Sequence, residues 1–338
     1  MFPLLVPERQ FIAGIRRAYG RRRSAAVVQG IGDDCGILRL PRRHEALVTT
    51  DFSLEGVHFR REWHPAESVG HRCLARGLSD IAAMGGVPLA AFLSLALPTD
   101  ISQRWMNEFL RGFERLAKKF KVELAGGDTA QSQSGVLADI VVVGSVPAGK
   151  AVLRSGARVG DDIYVTGALG GAAAVLHRLQ QQKAVRAIRP RDSAPAYQQR
   201  ACWGPIWPAH FFPVPRIAVG QYLREKALAS AMIDISDGLS TDLAHICEES
   251  EMGAWLAQEA IPLAKGATLK EALHGGDDYE LLFTAPAAKH NRIPDRIAGV
   301  PVRWIGTITR PRGVWLVDAV RKARWELKPE GWEHFKGH

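Results

Sequence analysis

The sequence predicts an α+β protein of two domains, and three observations carry that reading. The chain has 338 residues, enough for two domains of about 100–200 residues or one large one. Hydrophobic residues make up 46% and charged residues 23%, the balance of a globular fold that buries a sizeable core. Strand-like apolar runs and helical 3.6-period stretches occur on both sides of AGKAVLRSGARVGDD. That turn-rich, basic stretch follows Pro147 and reads as the junction between an N-terminal domain, 1–149, and a C-terminal α/β domain, 150–338.

The elements follow in order. Phe11, Ile12 and Ile15 share one face of a helix over Glu8–Tyr19. Glu45–Thr50 reads as a buried strand ending directly at Asp51, and a long helix runs from about Ala66 to Met84. At about 100° per residue, Asp80 falls within about 20° of Val69 and near Cys73 and Met84, on the apolar face. An apolar stretch (Leu89–Leu97), a helix (Gln103–Phe120), a short strand into AGGDT and the strand ADIVVVGSV complete the first domain. The second opens with DDIYVTG, a Gly-rich turn and the helix GGAAAVLHRLQ; later come the strand AMIDIS and the helix DGLSTDLAHICEES, with a polar start. Between them, Arg186–Arg216 holds six prolines with Trp203, Trp207, Phe211 and Phe212. Loops of this length are uncommon unless they work as lids or are partly disordered.

The longest nearly uncharged apolar run, Val87–Pro98, is shorter than the roughly 20 residues that span a bilayer. The N-terminal arginines follow a short apolar piece, the reverse of a signal peptide. Cys35, Cys73, Cys202 and Cys247 are far apart, which suits reduced thiols and excludes a Cys-x-x-Cys zinc site. A cytoplasmic location is expected. The net charge of +9 points to an anionic partner: nucleic acid, an acidic membrane or a phosphorylated ligand. Arg16, Arg17, Arg21, Arg22 and Arg23 cluster, yet only Tyr19 lies among them, unlike the interleaved aromatics of a nucleic-acid groove.

The most distinctive motifs are acidic. They are GIGDDCG (Asp33, Asp34), TTD (Asp51), AGGDT (Asp128) and DISDG (Asp234, Asp237), with Asp80 added from its helix. Each sets an Asp just past a strand or beside glycines, where turn chemistry also places Asp. Two carboxylates about 4 Å apart repel by ~4 kcal/mol at an effective dielectric near 20, so a convergent set needs a cation. Oxygen ligands select Mg²⁺, Mn²⁺ or Ca²⁺, and Mg²⁺ usually arrives with a substrate phosphate. P-loop, protein-kinase and Rossmann motifs are missing, and Ser79, Ser94, Ser236 and the 11 histidines show no triad spacing. GALGGA (Gly167–Ala172) opens a helix whose amides suit a phosphate, or simply tight packing.

The ordered series GIGDDC, TTD with GVHF, LSDIAAMGG, AGGDT, LRSGA, DISDGLSTDL, GGDDYEL and GWEHF, spanning about residues 27–335, resembles the thiamine-monophosphate kinase family. That family belongs to the superfamily of aminoimidazole ribonucleotide synthetase. The resemblance implies its two-domain architecture, phosphorylation of thiamine monophosphate by ATP with several Mg²⁺ ions, and a homodimer formed through the N-terminal domains, with no nucleic acid or membrane as partner. It implies metal ligands at Asp34, Thr49, Thr50, Asp51, Asp80, Asp128, Asp234 and Asp237. It implies ATP contacts at Arg154, Ser236 and Asp128, and substrate contacts at His58, Asp277 and Trp332. Asp277 stands where the family often has Glu, one methylene longer. The phosphate acceptor is already largely ionised at neutral pH, so no general base is expected. Two rivals remain: another member of the superfamily, and a basic nucleic-acid-binding protein using Mg²⁺ structurally.

Overall fold

The computed structural model describes residues 8–19, 25–31, 35–181 and 207–333. Asp33 and Asp34, and the segment 186–216 up to residue 206, lie outside them. The described residues fall into two compact units, one within 1–81 and 87–149, the other within 82–86, 150–182 and 199–338.

The first unit holds α1 (Glu8–Tyr19), β1 (Val27–Gln29), β2 (Ile37–Leu38), β3 (His44–Leu54), most of α2 (Ala66–Ala83), β4 (Val87–Leu97), α3 (Gln103–Phe120), β5 (Glu123–Gln131) and β6 (Leu137–Pro147). Its main sheet has the order β3-β6-β4-β5, antiparallel except for the parallel pair β4–β5. Period-2 alternation divides it into two faces. Leu47, Leu93, Leu95, Ile140 and Val142 are buried. Helix α2 lies on this face, with Gly77 against Val142 and Ile81 against Gly144. On the other face Val48 and Phe52 are 67% and 54% exposed. Helices α2 and α3 meet backbone to backbone. A Cβ on Gly70 would stand 1.9 Å from the Phe109 carbonyl oxygen, and one on Gly112 1.8 Å from that of Glu67. Helix α3 starts at Ser102, whose Oγ accepts from the Trp105 amide at 3.1 Å, and stops where Lys121 turns left-handed.

Strand β3 does not end before Asp51. Its pairing with β6 continues from Asp51↔Ile140 to Leu54↔Leu137 because DFSL carries on the alternation of EALVTT. β5 likewise runs through AGGDT to Gln131, paired with β4. Asp51 and Asp128 are therefore strand residues.

The second unit holds β7 (Asp161–Thr166), α4 (Gly171–Gln181), α5 (Trp207–Phe211), α6 (Ile217–Glu225), β8 (Ala231–Asp234), α7 (Leu239–Glu249), β9 (Gly253–Ala257), α8 (Leu269–His274), β10 (Leu281–Pro286), β11 (Arg296–Ile297), β12 (Val300–Thr309), β13 (Gly313–Asp318) and β14 (Ala323–Glu326). The sheet order is β14-β13-β9-β12-β7-β10-β8, with β11 added to β12. Every pair is antiparallel except β13–β9. Ile163, Val165, Ile233, Leu256, Leu282 and Leu316 join Leu239, Leu243 and Ile246 of α7 and Ala272 and Leu273 of α8 in one core. A Thr268–Glu271 capping box starts α8.

Candidate functional site

In the first unit the predicted residues divide between the two faces of the sheet. On the helix-covered face, Asp51 Oδ1 accepts from Arg76 Nε of α2 at 3.4 Å. The Thr49 hydroxyl donates to the Asp80 carboxylate. Asp80 thus reaches the sheet from the apolar helix face on which its periodicity puts it. Thr50 points the other way, and its hydroxyl donates to Asp139 Oδ1 at 2.9 Å. Register places Phe52, Asp139, Ser94 and Asp128 in one row across β3, β6, β4 and β5, on the open face. Asp128 is exposed and accepts from the Thr129 amide at 2.8 Å. Within this unit the Thr49, Thr50, Asp51 triplet does not aim its side chains at one point, because successive strand residues face opposite sides. His58 lies in the turn after β3, its Nδ1 accepting from the Leu54 amide at 3.0 Å.

In the second unit, motifs far apart in sequence converge on the loop between β8 and α7. Asp234 is buried at the end of β8, opposite Leu281 of β10. The Asp277 amide donates to the Ser236 carbonyl at 2.8 Å, and the Tyr279 amide to that of Ile235 at 2.8 Å. The Trp332 amide donates to the Asp237 carbonyl at 3.0 Å. Gly331 lies so close that a Cβ there would meet the Asp237 carbonyl oxygen at 2.0 Å. Ser236, Asp237, Asp277 and Trp332 are therefore brought together, with the Trp332 side chain 52% exposed.

Arg154 is not brought to that loop. Its carbonyl accepts from Ser250 Oγ at 3.1 Å, just past the C-terminal end of α7. Asp237 lies at the N-terminal end, and the helix's 11 residues separate the two by roughly 16 Å of rise. The exposed Arg154 side chain is free to extend from there.

Three acids that sequence reasoning missed hold this region together. Helix α7 has no side-chain cap at Gly238. Instead Asp242 Oδ2, in its first turn, accepts from the amides of Ser236, Asp237 and Gly238 at 3.1, 3.2 and 3.1 Å. Burial, then the charges of Asp234 and Asp237, push the Asp242 carboxyl well above its ordinary range, against the pull of the amides. The amides of the GALGGA turn are engaged by the chain itself: Asp278 accepts from Gly170 at 2.6 Å and Ala172 at 3.3 Å. A carboxylate thus stands where a phosphate was one expectation. Burial pushes Asp278 up to about 7, with the charges of Glu280 and Asp277 adding to it and the two amides opposing. Buried Glu280 accepts from Thr166 Oγ1 at 2.6 Å and Arg216 Nε at 2.7 Å and pairs with Arg216 Nη2. A detectable signal was present for one of them, an Asp in the first turn of a helix whose cap position is Gly.

Ligand atoms of Asp237, Asp242 and His245 lie within 4.8 Å of one another. Crowded carboxylates whose mutual repulsion already raises one of them suit a divalent cation, and their hard oxygens suit Mg²⁺.

The fold defines the class. The family described as AIR synthase related protein, N-terminal domain, matches residues 32–146. The hydrogenase maturation protein HypE, solved in complex with ATP, shares the fold at TM-score 0.70 and 16% identity, covering 90% of this chain and 89% of its own. Nearer relatives are more specific. The thiamine-monophosphate kinase of Salmonella typhimurium is 38% identical over 334 residues, 95% of this chain and 97% of that protein. The crystal structure of the enzyme from Stenotrophomonas maltophilia matches with TM-score 0.77 at 33% identity, covering 94% and 98% of the two chains. A structure of AaThiL complexed with AMPPCP and TMP matches with TM-score 0.72 at 29% identity, covering 97% of each. The chain belongs to the thiamine-monophosphate kinase family.

Proposed function

We propose that the chain transfers the γ-phosphoryl group of ATP directly to thiamine monophosphate, giving thiamine diphosphate, with Mg²⁺ assistance. The observation that carries this reading is the convergence of Ser236–Asp237, Asp277 and Trp332, three motifs spread over nearly a hundred residues, joined by main-chain hydrogen bonds.

Both reactants are polyanions at the reacting ends, so the chain must hold two repelling phosphates in line and balance their charge. The proposed Mg²⁺ ligands of the first unit are Asp34, Thr49, Asp51 and Asp80, with Thr50 and Asp128 on the opposite face of the sheet, and those of the second are Asp234 and Asp237, with Asp242 and His245 beside Asp237. When bound, Mg²⁺ supplies Lewis-acid neutralisation of phosphate oxygens. Arg154, Ser236 and Asp128 serve ATP, Arg154 by a direct phosphate contact. The thiazolium of the substrate is cationic, and Trp332 offers it a stacking and cation–π surface while Asp277 offers a compensating charge; His58 contributes a further contact. The acceptor phosphate ionises with a second pKa near 6, by analogy with phosphoserine, so transfer proceeds without a general base.

The exposed face of the first unit's sheet, with Val48 and Phe52, supports a homodimer through that face. Phe52→Glu should shift sedimentation from dimer to monomer; an unchanged dimer would exclude this face. Among the described residues no helix is long and apolar enough to cross a membrane, and dependence on ATP supports action in the cytoplasm. The decisive experiment is product analysis with ATP, Mg²⁺ and thiamine monophosphate, with free thiamine as control. Thiamine diphosphate should form from the monophosphate alone; phosphorylation of thiamine, or a trapped phosphoryl-protein, would overturn the reading.

A further inference from the structure

The GGDDYEL run carries a second unusual feature. Asp277 and Tyr279 both have left-handed backbones, at φ 67° and 51°. Glycine adopts that conformation freely and other residues do so at a cost. The two side chains meet: the Tyr279 hydroxyl donates to Asp277 Oδ1 at 2.7 Å. Tyr279 is 2% exposed, so its phenol is a fixed donor instead of a surface group. The main chain is pinned on either side, Asp277 to Ser236 and Tyr279 to Ile235, each at 2.8 Å. Asp278 between them is anchored to Gly170 and Ala172.

We propose that Tyr279 is a positioning residue that sets the Asp277 carboxylate against the cationic portion of the vitamin substrate. The inference rests on the reading of Asp277 as a substrate contact and adds how so short an acid is aimed. A hydrogen bond to a charged carboxylate from a buried phenol restricts its rotamer, and an aspartate so held presents its charge in one direction. Tyr279 therefore governs affinity for thiamine monophosphate and not for ATP.

The test compares Tyr279→Phe, Asp277→Asn and the double variant by steady-state kinetics, with thermal unfolding of the same preparations. Tyr279→Phe should raise KM for thiamine monophosphate about ten-fold, the scale of one lost charge-assisted hydrogen bond, with KM for ATP and kcat near wild type. The double variant should be no worse than Asp277→Asn, since the phenol acts only through that carboxylate. If Asp277→Asn leaves KM for thiamine monophosphate unchanged, the assignment of Asp277 itself fails. If Asp277→Asn raises it and Tyr279→Phe does not, only the positioning role fails. Equal rises in both KM values, additive effects in the double variant, or a Tyr279→Phe chain that does not fold would each make the hydroxyl a structural group and overturn the inference.

Discussion

The acids of the two units are held in opposite ways. In the first unit Asp51, Asp80 and Asp128 are spaced by strand register and one helix face; Asp80 accepts from Thr49, Asp51 from Arg76 of α2, and Asp128 from the adjacent Thr129 amide. In the second, Asp242, Asp278 and Glu280 are buried, and backbone amides or Arg216 saturate them. The difference separates two uses of one residue type. Asp242 ties down the β8–α7 loop, Asp278 caps the GALGGA turn and Glu280 balances Arg216, while in the first unit Asp128 is exposed and Asp51 and Asp80 are only partly buried.

That contrast breaks first on stability. Burial alone would lower the Arg216 guanidinium, but Glu280's hydrogen bonds and charge outweigh it and raise the pKa. Glu280→Ala leaves that cation buried without its carboxylate and should cost about 3–5 kcal/mol of unfolding free energy in urea. Asp139→Ala on the open sheet face should stay within about 1 kcal/mol. Equal losses would show that the acids of both units serve the fold alike.

Activity supplies the next test. Asp51→Asn keeps the shape of the side chain and much of its hydrogen bonding, but removes the charge that a bound cation would meet. It should lower kcat/KM about 100-fold or more, with the urea midpoint little changed. An unstable yet fully active variant would place Asp51 among the structural acids.

How much of this was legible depends on the range of the interaction. Asp80's inward position follows from helical period alone, and the convergence on the β8–α7 loop was visible as a set of motifs though not as a geometry. The split of Thr49 and Asp51 from Thr50 is a period-2 consequence of β3 running on past Asp51. Asp278 and Glu280 were illegible for a different reason. Their partners, Gly170, Ala172, Thr166 and Arg216, are distant in the chain, and no local pattern marks a carboxylate as the cap of a turn a hundred residues earlier. A Gly-rich turn before a helix reads as an open anion cradle until the residue that fills it is placed.

That filling residue gives the smallest effect and a definite sign. Unfolded, the Asp278 carboxyl loses its proton near 3.8; folded, burial holds the proton until about 7. Between these values the folded chain binds more protons than the unfolded one, so this group's contribution to stability falls as pH rises through that window and levels off above it. Asp278→Asn keeps an acceptor for the Gly170 and Ala172 amides but cannot titrate. The Tm difference between wild type and Asp278→Asn should therefore shrink or reverse by a few degrees from pH 4 to pH 7. Asp242, also raised, titrates in both proteins and drops out of the difference. A pH-independent difference would mean that Asp278 is ionised in the fold throughout, stabilised by the turn amides as a bound phosphate would be. The cradle would then be an anion site that the chain supplies with its own anion.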